Sequence, residues 1–292
     1  MLNRVSPLVL RRSPHRSRYR RAAVALAAVP MLVVGCSAPA TVSAPGSSAP
    51  AGAPQSSAAT PLAGSLQVPA APAPPACGEG AALLASMSTR DKLAQLLMVG
   101  VRNAADARAV VGNHHVGGIM IGSWTDLSML TDGSLADISN LGPLPLAVSV
   151  DEEGGRVSRL ASLIGAAPSA RTLAQTQTPD EVYQLALSRG RQMRGLGITV
   201  DFAPVVDVSD QGANTVIGDR SFSNDPATVT SYAGAFARGL RDAGVLPVLK
   251  HFPGHGHGSG DSHTAGVVST PPLAQLMESD LVPYRTLTAE AP

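Results

Sequence analysis

From about Gly78 onward, short and nearly unbroken apolar runs alternate with segments of helical spacing, and the polar clusters fall just after the apolar runs. This alternation is the strongest constraint on the fold. A strand that is apolar at every position is covered on both faces, and amphipathic helices between such strands supply that cover. The combination predicts a parallel sheet. Expected strands lie at residues 116–121, 146–150, 198–206 and 245–249, and a short helix opening at Ser88 has apolar residues that run into 96–101. Ser88-Thr89-Arg90-Asp91 has the form of a capping box, residues 104–111 are helix-like, and residues 125–139 are weakly patterned. Thr178-Pro179-Asp180-Glu181 is a strong helix start, followed by Val182, Leu185, Ala186, Arg189, Met193 and Leu196 at helical spacing. Asp225-Pro226 opens another helix, with Val229, Tyr232, Ala233, Phe236 and Leu240 on one face and Gly244 at its close. About five strand–helix units are present, too few to close an eight-stranded barrel.

The first 77 residues obey different rules. Arg4, Arg11, Arg12, Arg16, Arg18, Arg20 and Arg21 precede an apolar run over residues 22–34, interrupted by Pro30. The run is short for a membrane span and has the proportions of a signal-peptide core. It ends in Val33-Val34-Gly35-Cys36, which resembles the lipobox of bacterial lipoproteins. Residues 1–36 are therefore expected to be a lipoprotein signal peptide, with Cys36 the lipidated residue. An ordinary signal peptide is the alternative, and the Arg11-Arg12 and Arg20-Arg21 pairs allow a twin-arginine element. Lipidation of Cys36 leaves Cys77 without a disulfide partner. Residues 37–77, almost all Ala, Pro, Ser, Gly and Thr, are expected to be a disordered tether, leaving 78–292 as the folded domain.

Composition narrows the class further. The chain is 44% hydrophobic, enough for a core, and 15% charged, too little for a disordered protein. With 3% aromatic residues and a formal net charge of +1 concentrated in the leading arginines, no nucleic-acid partner is expected. No Gly-x-Gly-x-x-Gly follows the first strand, so a nucleotide-binding reading is weak.

The chemistry concentrates in Lys250-His251-Phe252-Pro253-Gly254-His255-Gly256 and Asp261-Ser262-His263. Proline and glycines exclude an ordinary helix here. Three readings of the residues are open. The histidines and Asp261 have donor chemistry suited to zinc, although their spacing matches no compact zinc motif. They also suit a solvated, glycine-rich loop. Alternatively, Asp261 and His263, two apart, face the same way on an extended segment. The carboxylate then fixes the imidazole's tautomer for proton transfer near neutral pH. Earlier, Asp151-Glu152-Glu153-Gly154-Gly155-Arg156-Val157-Ser158-Arg159 offers carboxylates and arginines that suit a neutral, hydroxyl-rich ligand. The bland alternative is a charged loop with surface ion pairs. Asp219-Arg220-Ser221-Phe222 adds an arginine, whose bland reading is an ion pair with Asp207 or Asp219.

Together these segments, with Phe202-Ala203-Pro204-Val205-Val206-Asp207-Val208, closely resemble the glycoside hydrolase family 3 β-N-acetylglucosaminidases, from about residue 90 to the end. The resemblance implies a TIM-type (β/α)8 barrel, here incomplete, and retaining hydrolysis of terminal β-linked N-acetylglucosamine by double displacement. It implies that His263 is the general acid/base and Asp261 its partner. It further implies that Asp151, Arg159, Arg220, Lys250 and His251 bind the sugar, and that no metal or other cofactor takes part. Peptidoglycan fragments are the implied substrates, in keeping with a protein held by lipid on the outer face of the cytoplasmic membrane. One departure stands out. The family's nucleophile is an aspartate on a later strand, and after His263 only Glu278, Asp280 and Glu290 occur, in a helical context. The chain is thus expected to be truncated before the nucleophile and to lack full hydrolytic activity. Three alternatives are a non-catalytic sugar-binding lipoprotein, transfer of the sugar to phosphate at the same site, and a metal-dependent hydrolase.

Overall fold

The computed structural model describes residues 77–264 and 268–289, all within the unit Gln67–Pro292. Five parallel strands form one sheet: β1 (Met98–Val101), β2 (Gly118–Ile121), β3 (Ala147–Val150), β4 (Val200–Asp201) and β5 (Leu246–Pro247). Their spatial order is their chain order. Each strand lies parallel beside its predecessor, the sequential order of a TIM-type barrel, in which such units wind right-handed. Gly100, Met120, Ser149, Val200 and Leu246 form one continuous row across the sheet.

Side chains alternate about that row. Val101, Ile119, Ile121, Val148 and Val150 are buried in the core. There they meet Ala107 and Val111 of helix α1 (Ala104–His114), Val182, Ala186 and Met193 of α2 (Pro179–Gly195), and Val229, Ala233, Phe236 and Leu240 of α3 (Pro226–Asp242). The opposite face carries Met98, Gly100, Met120 and Ser149. It is more polar, with the Ser149 hydroxyl donating to Met98 Sδ at 2.8 Å. The sheet therefore has an oily outer side under helices and a mixed inner side, as a barrel wall requires.

The helix starts behave as their chemistry demands. The Ser88 side chain caps Thr89–Ala94, and Thr178 and Glu181 form a reciprocal capping box on α2 with Pro179 at its first position. Expected strand 198–206 forms only as Val200–Asp201, with Val205 rejoining the ladder as a bridge to Lys250. Pro204 has no N–H to give the ladder, so pairing lapses there. Pro247 shortens β5 for the same reason. Segment 125–139 divides into a 3-10 turn (Leu127–Leu130) and a helix (Ser134–Ser139), separated by Gly133 at φ +88°. After the histidine loop come α4 (Leu273–Glu278) and α5 (Val282–Leu287), whose Tyr284 and Leu287 join the core. Among the described residues no helix is long and apolar enough to cross a membrane. Cys36 lies outside the described residues.

Candidate active site

The loops leaving β3, β4 and β5 converge on one charged network. It rests on Glu152, the first residue of a small hairpin (Glu152–Gly154 with Val157–Ser158) beyond β3. Glu152 is buried, and its carboxylate accepts from the Ser158 hydroxyl at 2.5 Å, from the backbone N–H groups of Arg159 and Leu160 at 2.8 Å, and from Arg189 of α2 at 2.6 Å. All its lone pairs are used within the protein, so it is a structural anchor. Fixing Glu152 fixes its neighbours, Asp151 and Glu153, at the mouth of the sheet.

Glu153 is buried and doubly clamped. Arg220 donates to both of its oxygens at 2.8 Å, in a bidentate fork, and Lys250 Nζ lies 2.5 Å from Oε1. Lys250 also donates to Asp151 Oδ1 at 2.6 Å. Arg220 Nη2 donates to His251 Nε2 at 3.1 Å. Since a guanidinium only donates, His251 carries its proton on Nδ1 and gives it to Asp207 Oδ2 at 2.6 Å. Asp207, fully buried, uses its other oxygen to accept the His255 backbone N–H at 2.7 Å. Asp151, Glu153 and Asp207 thus face Lys250 and Arg220, three carboxylates against two cations. One formal negative charge remains, which suits a neutral ligand that develops positive character in reaction.

Burial alone would push the Glu153 carboxyl up, but Arg220 and Lys250 outweigh it and hold the group below the ordinary carboxylate range. Desolvation works against the Arg220 cation, and Glu153 more than restores it. Asp201 behaves in the opposite sense. It is fully buried at the end of β4, and desolvation raises its carboxyl to about 8. Its Oδ1 accepts the Glu152 N–H at 2.9 Å, while Oδ2 has no hydrogen-bond partner among the described residues.

The arginines divide by partner. Arg156 is structural: it pairs with Asp219 at 2.9 Å and donates to the Thr215 and Ile217 carbonyls, bracing the loop that presents Arg220. Arg220 pairs with Glu153 rather than with Asp207 or Asp219, because Asp207 is occupied by His251 and Asp219 by Arg156. Arg159 stands apart. Its backbone serves Glu152, and its guanidinium makes no hydrogen bond or ion pair among the described residues.

The Asp261–His263 pair forms, with His263 Nδ1 2.8 Å from Asp261 Oδ1, which also accepts the His263 backbone N–H at 2.9 Å. Those two bonds, the backbone one first, hold the Asp261 carboxyl low. The imidazole is 79% exposed, and Nε2 is left to face outward. The loop bearing the pair is closed at its base by reciprocal backbone bonds between Ser259 and Ser269. Asp261 also lines a cavity of about 570 Å³ together with His255, Gln211 and Asn214.

The remaining histidines spread onto separate partners. His257 Nδ1 lies 3.0 Å from Asp280 Oδ2, and Asp280 is buried in the turn between α4 and α5 rather than exposed on a helix. Among the described residues no three or more His, Cys, Asp or Glu side chains converge as a metal-holding group. Asp280 also explains Gly254: a Cβ there would come within 2.4 Å of the Asp280 Cβ, at a φ of +130°. At Gly256 a Cβ would strike the Val208 carbonyl oxygen at 1.9 Å. The histidine loop lies directly against backbone and a buried acid, and only glycine fits at these two contacts. Burial also pushes the Tyr284 phenol up, and its hydroxyl, His255 Nε2 and Asp280 Oδ1 have no hydrogen-bond partner among the described residues.

Sequence reasoning passed over Glu153 as a clamp for two cations and Asp207 as the partner of His251. Asp207 had a usable signal, since it exits an apolar run as Asp151 does. Asp201 had one too, as an acid inside such a run. Nothing in the spacing pointed to Asp280.

Comparison with known proteins places the chain. Residues 88–292 match the family model described as the glycosyl hydrolase family 3 N terminal domain. The chain is 64% identical over 276 residues to the β-hexosaminidase LpqI of Mycobacterium tuberculosis, spanning 94% of this chain and 68% of that protein. A crystal structure of a family 3 glycosyl hydrolase from Mycobacterium smegmatis superposes with a TM-score of 0.70 at 77% identity, covering 72% of this chain and 63% of that one. A family 3 β-N-acetylglucosaminidase from Paenibacillus gives a TM-score of 0.63 at 31% identity, covering 70% of this chain and 41% of that one. The chain therefore spans less than two thirds of the length of these solved relatives.

Proposed function

The chain belongs to glycosyl hydrolase family 3 through its N-terminal domain, and on that premise we propose that it binds the terminal β-linked N-acetylglucosamine of peptidoglycan-type fragments and supplies the acid/base for its retaining hydrolysis. The observation that carries this reading is the partly buried network Asp151–Lys250–Glu153–Arg220–His251–Asp207, drawn from three strand-following loops. In it, Asp151, Lys250, Arg220 and His251 hold the sugar's hydroxyls and acetamido group, with Arg159 reaching the ligand by its uncommitted guanidinium. Carboxylates accept from vicinal hydroxyls, while the two cations donate.

In the proposed cycle His263 Nε2 protonates the departing glycosidic oxygen as a carboxylate attacks the anomeric carbon. The same imidazole then takes a proton from the water that releases the sugar. Asp261 holds Nδ1 and steadies the imidazolium. Neither Glu278, in α4, nor Asp280, buried against His257, is offered as the nucleophile. We further assign residues 1–36 to a lipoprotein signal ending at Cys36, residues 37–77 to a tether and 78–292 to the catalytic domain, held on the outer face of the cytoplasmic membrane.

Binding is tested on this chain by calorimetric titration with N-acetylglucosamine. The expected result is saturable binding that Lys250→Met abolishes; heat changes that ignore this substitution refute the reading. Turnover is tested on the intact polypeptide with an aryl N-acetylglucosaminide, with and without phosphate. Release that requires phosphate reassigns the reaction as sugar transfer to phosphate. For the anchor, Cys36→Ser should shift the protein from the membrane to the soluble fraction of its native host, and an unchanged distribution removes the lipid assignment.

A further inference from the structure

Trp124 is the chain's only tryptophan, and it is 57% exposed. It follows β2 by three residues, so it stands on the same rim of the sheet as Asp151. Its indole is seated rather than loose. A Cβ built on Gly122 would meet three ring atoms at 2.5–2.6 Å, and one built on Gly100 of β1 would meet the ring at 3.0 Å. Two glycines therefore make the notch the ring occupies. The turn beneath is also fixed. The Thr125 hydroxyl donates to the Val101 carbonyl at 2.6 Å and accepts the Gly122 N–H at 3.0 Å, and the Asp126 N–H donates to the Arg102 carbonyl at 2.8 Å.

Position gives the ring its meaning. Ile121 is in register with Val150, which sets Gly122 beside Asp151, and Gly100 lies one strand further on. With strands ~4.8 Å apart, an indole resting on Gly122 and Gly100 lies between one and two strand spacings from Asp151, about 5–10 Å. A pyranose lying above the two can meet the ring with one face and Asp151 with its edge. Gly100 belongs to the inner row with Met120 and Ser149, so the ring leans over the inner side of the sheet. A pyranose has hydroxyls around its edge and C–H groups on its faces. The network described above is wholly polar and offers nothing to a C–H face. An aromatic surface held rigidly in water loses little conformational freedom on binding and gains from being covered.

We propose that Trp124 is the apolar wall of the sugar site, its indole packing on the C–H face of the aminosugar whose hydroxyls Asp151, Lys250 and Arg220 hold. This rests on the aminosugar-binding reading, and the test separates the two. Because the chain has one tryptophan, its intrinsic fluorescence reports on this position alone. The purified chain is titrated with N-acetylglucosamine while calorimetry and tryptophan emission are recorded in parallel. Emission should change and saturate with the calorimetric binding curve. Trp124→Ala should weaken binding about tenfold, equivalent to about 1.4 kcal/mol, and Trp124→Phe should recover most of the loss. Calorimetric binding with emission constant to saturation, and with Trp124→Ala binding as tightly as the parent, overturns the wall while leaving the sugar reading intact. Absence of calorimetric binding overturns both. Should Trp124→Ala fail to fold, the parent's emission curve decides by itself.

Discussion

The two halves of the candidate site are built in opposite ways. The network proposed to hold the sugar joins three loops: Asp207 is fully inaccessible, Glu153 nearly so, Lys250 and Arg220 each meet a carboxylate, and Asp207 is held by the His251 ring. The Asp261–His263 pair, proposed as the acid/base, is by contrast made within three residues of one loop, and its imidazole stands in water. A binding network gains from rigidity, because groups already in place lose no freedom when the ligand arrives. A proton shuttle needs access to both a leaving group and water, and exposure gives it that. The contrast separates function from stability: damage to the pair should cost rate alone, and damage to the network should cost the fold as well.

The sharpest way to break this contrast is His263→Ala in the intact polypeptide. Loss of general acid/base catalysis should lower kcat for an aryl N-acetylglucosaminide by roughly 10²–10⁴. The melting temperature should hold, since an exposed side chain with one local partner contributes little stability. A lowered melting temperature, or unaltered turnover, would falsify the division. Next in size is Glu153→Ala, read by denaturant unfolding. It leaves Arg220 and Lys250 facing each other across a buried gap, and removing one partner of a buried pair typically costs ~3–5 kcal/mol. A loss below ~1 kcal/mol would mean that the network is no more rigid than the surface pair.

A smaller effect distinguishes the two buried acids by pH. Glu153 is held below the usual carboxylate range, so its pairing adds stability that is present above the unfolded-state value and lost as pH falls through the folded one. Asp201 is raised from 3.8 to about 8, which reverses the sign. Its protonated form suits the folded state at low pH, and stability drains away as pH climbs from about 4 to about 8. In Asp201→Asn that downward drift should flatten, because the amide mimics the neutral acid and cannot ionise. Unfolding free energies measured at pH 5, 6.5 and 8 check it. An unchanged slope would mean that Asp201 titrates as an ordinary acid.

The same contrast explains what was legible beforehand. Asp261 and His263 meet through a separation of two, which sequence displays directly, and the capping box at Thr178 and Glu181 is just as local. The strands were visible as short apolar runs whose core-facing side chains are buried, and the largest shortening of a run falls where Pro204 and Pro247 remove ladder donors. Asp151, Arg220, Lys250 and His251 could be nominated by their place after strands and by family resemblance. Their wiring could not, since Glu153 and Arg220 lie 67 residues apart and Lys250 and Asp151 lie 99 apart. Which of several carboxylates a cation selects depends on the crossing of loops, and no spacing rule reports that.

Arg159 supplies the finest probe, because it falls between the two classes. It sits beside the network in sequence, yet its guanidinium has no protein partner among the described residues, while its backbone N–H supports Glu152 at 2.8 Å. Arg159→Ala keeps that backbone bond and removes only the free charge, so stability should stay within ~0.5 kcal/mol. If the guanidinium reaches the sugar, affinity for N-acetylglucosamine should fall by roughly tenfold, the worth of one charge-assisted hydrogen bond. In the intact polypeptide, KM should rise with kcat nearly unchanged, since a group that holds ground state and transition state alike contributes uniform binding. A kcat loss rivalling that of His263→Ala would move Arg159 out of the holding network and into the proton-transfer half of the site. A fall in stability would instead make it a brace like Arg156.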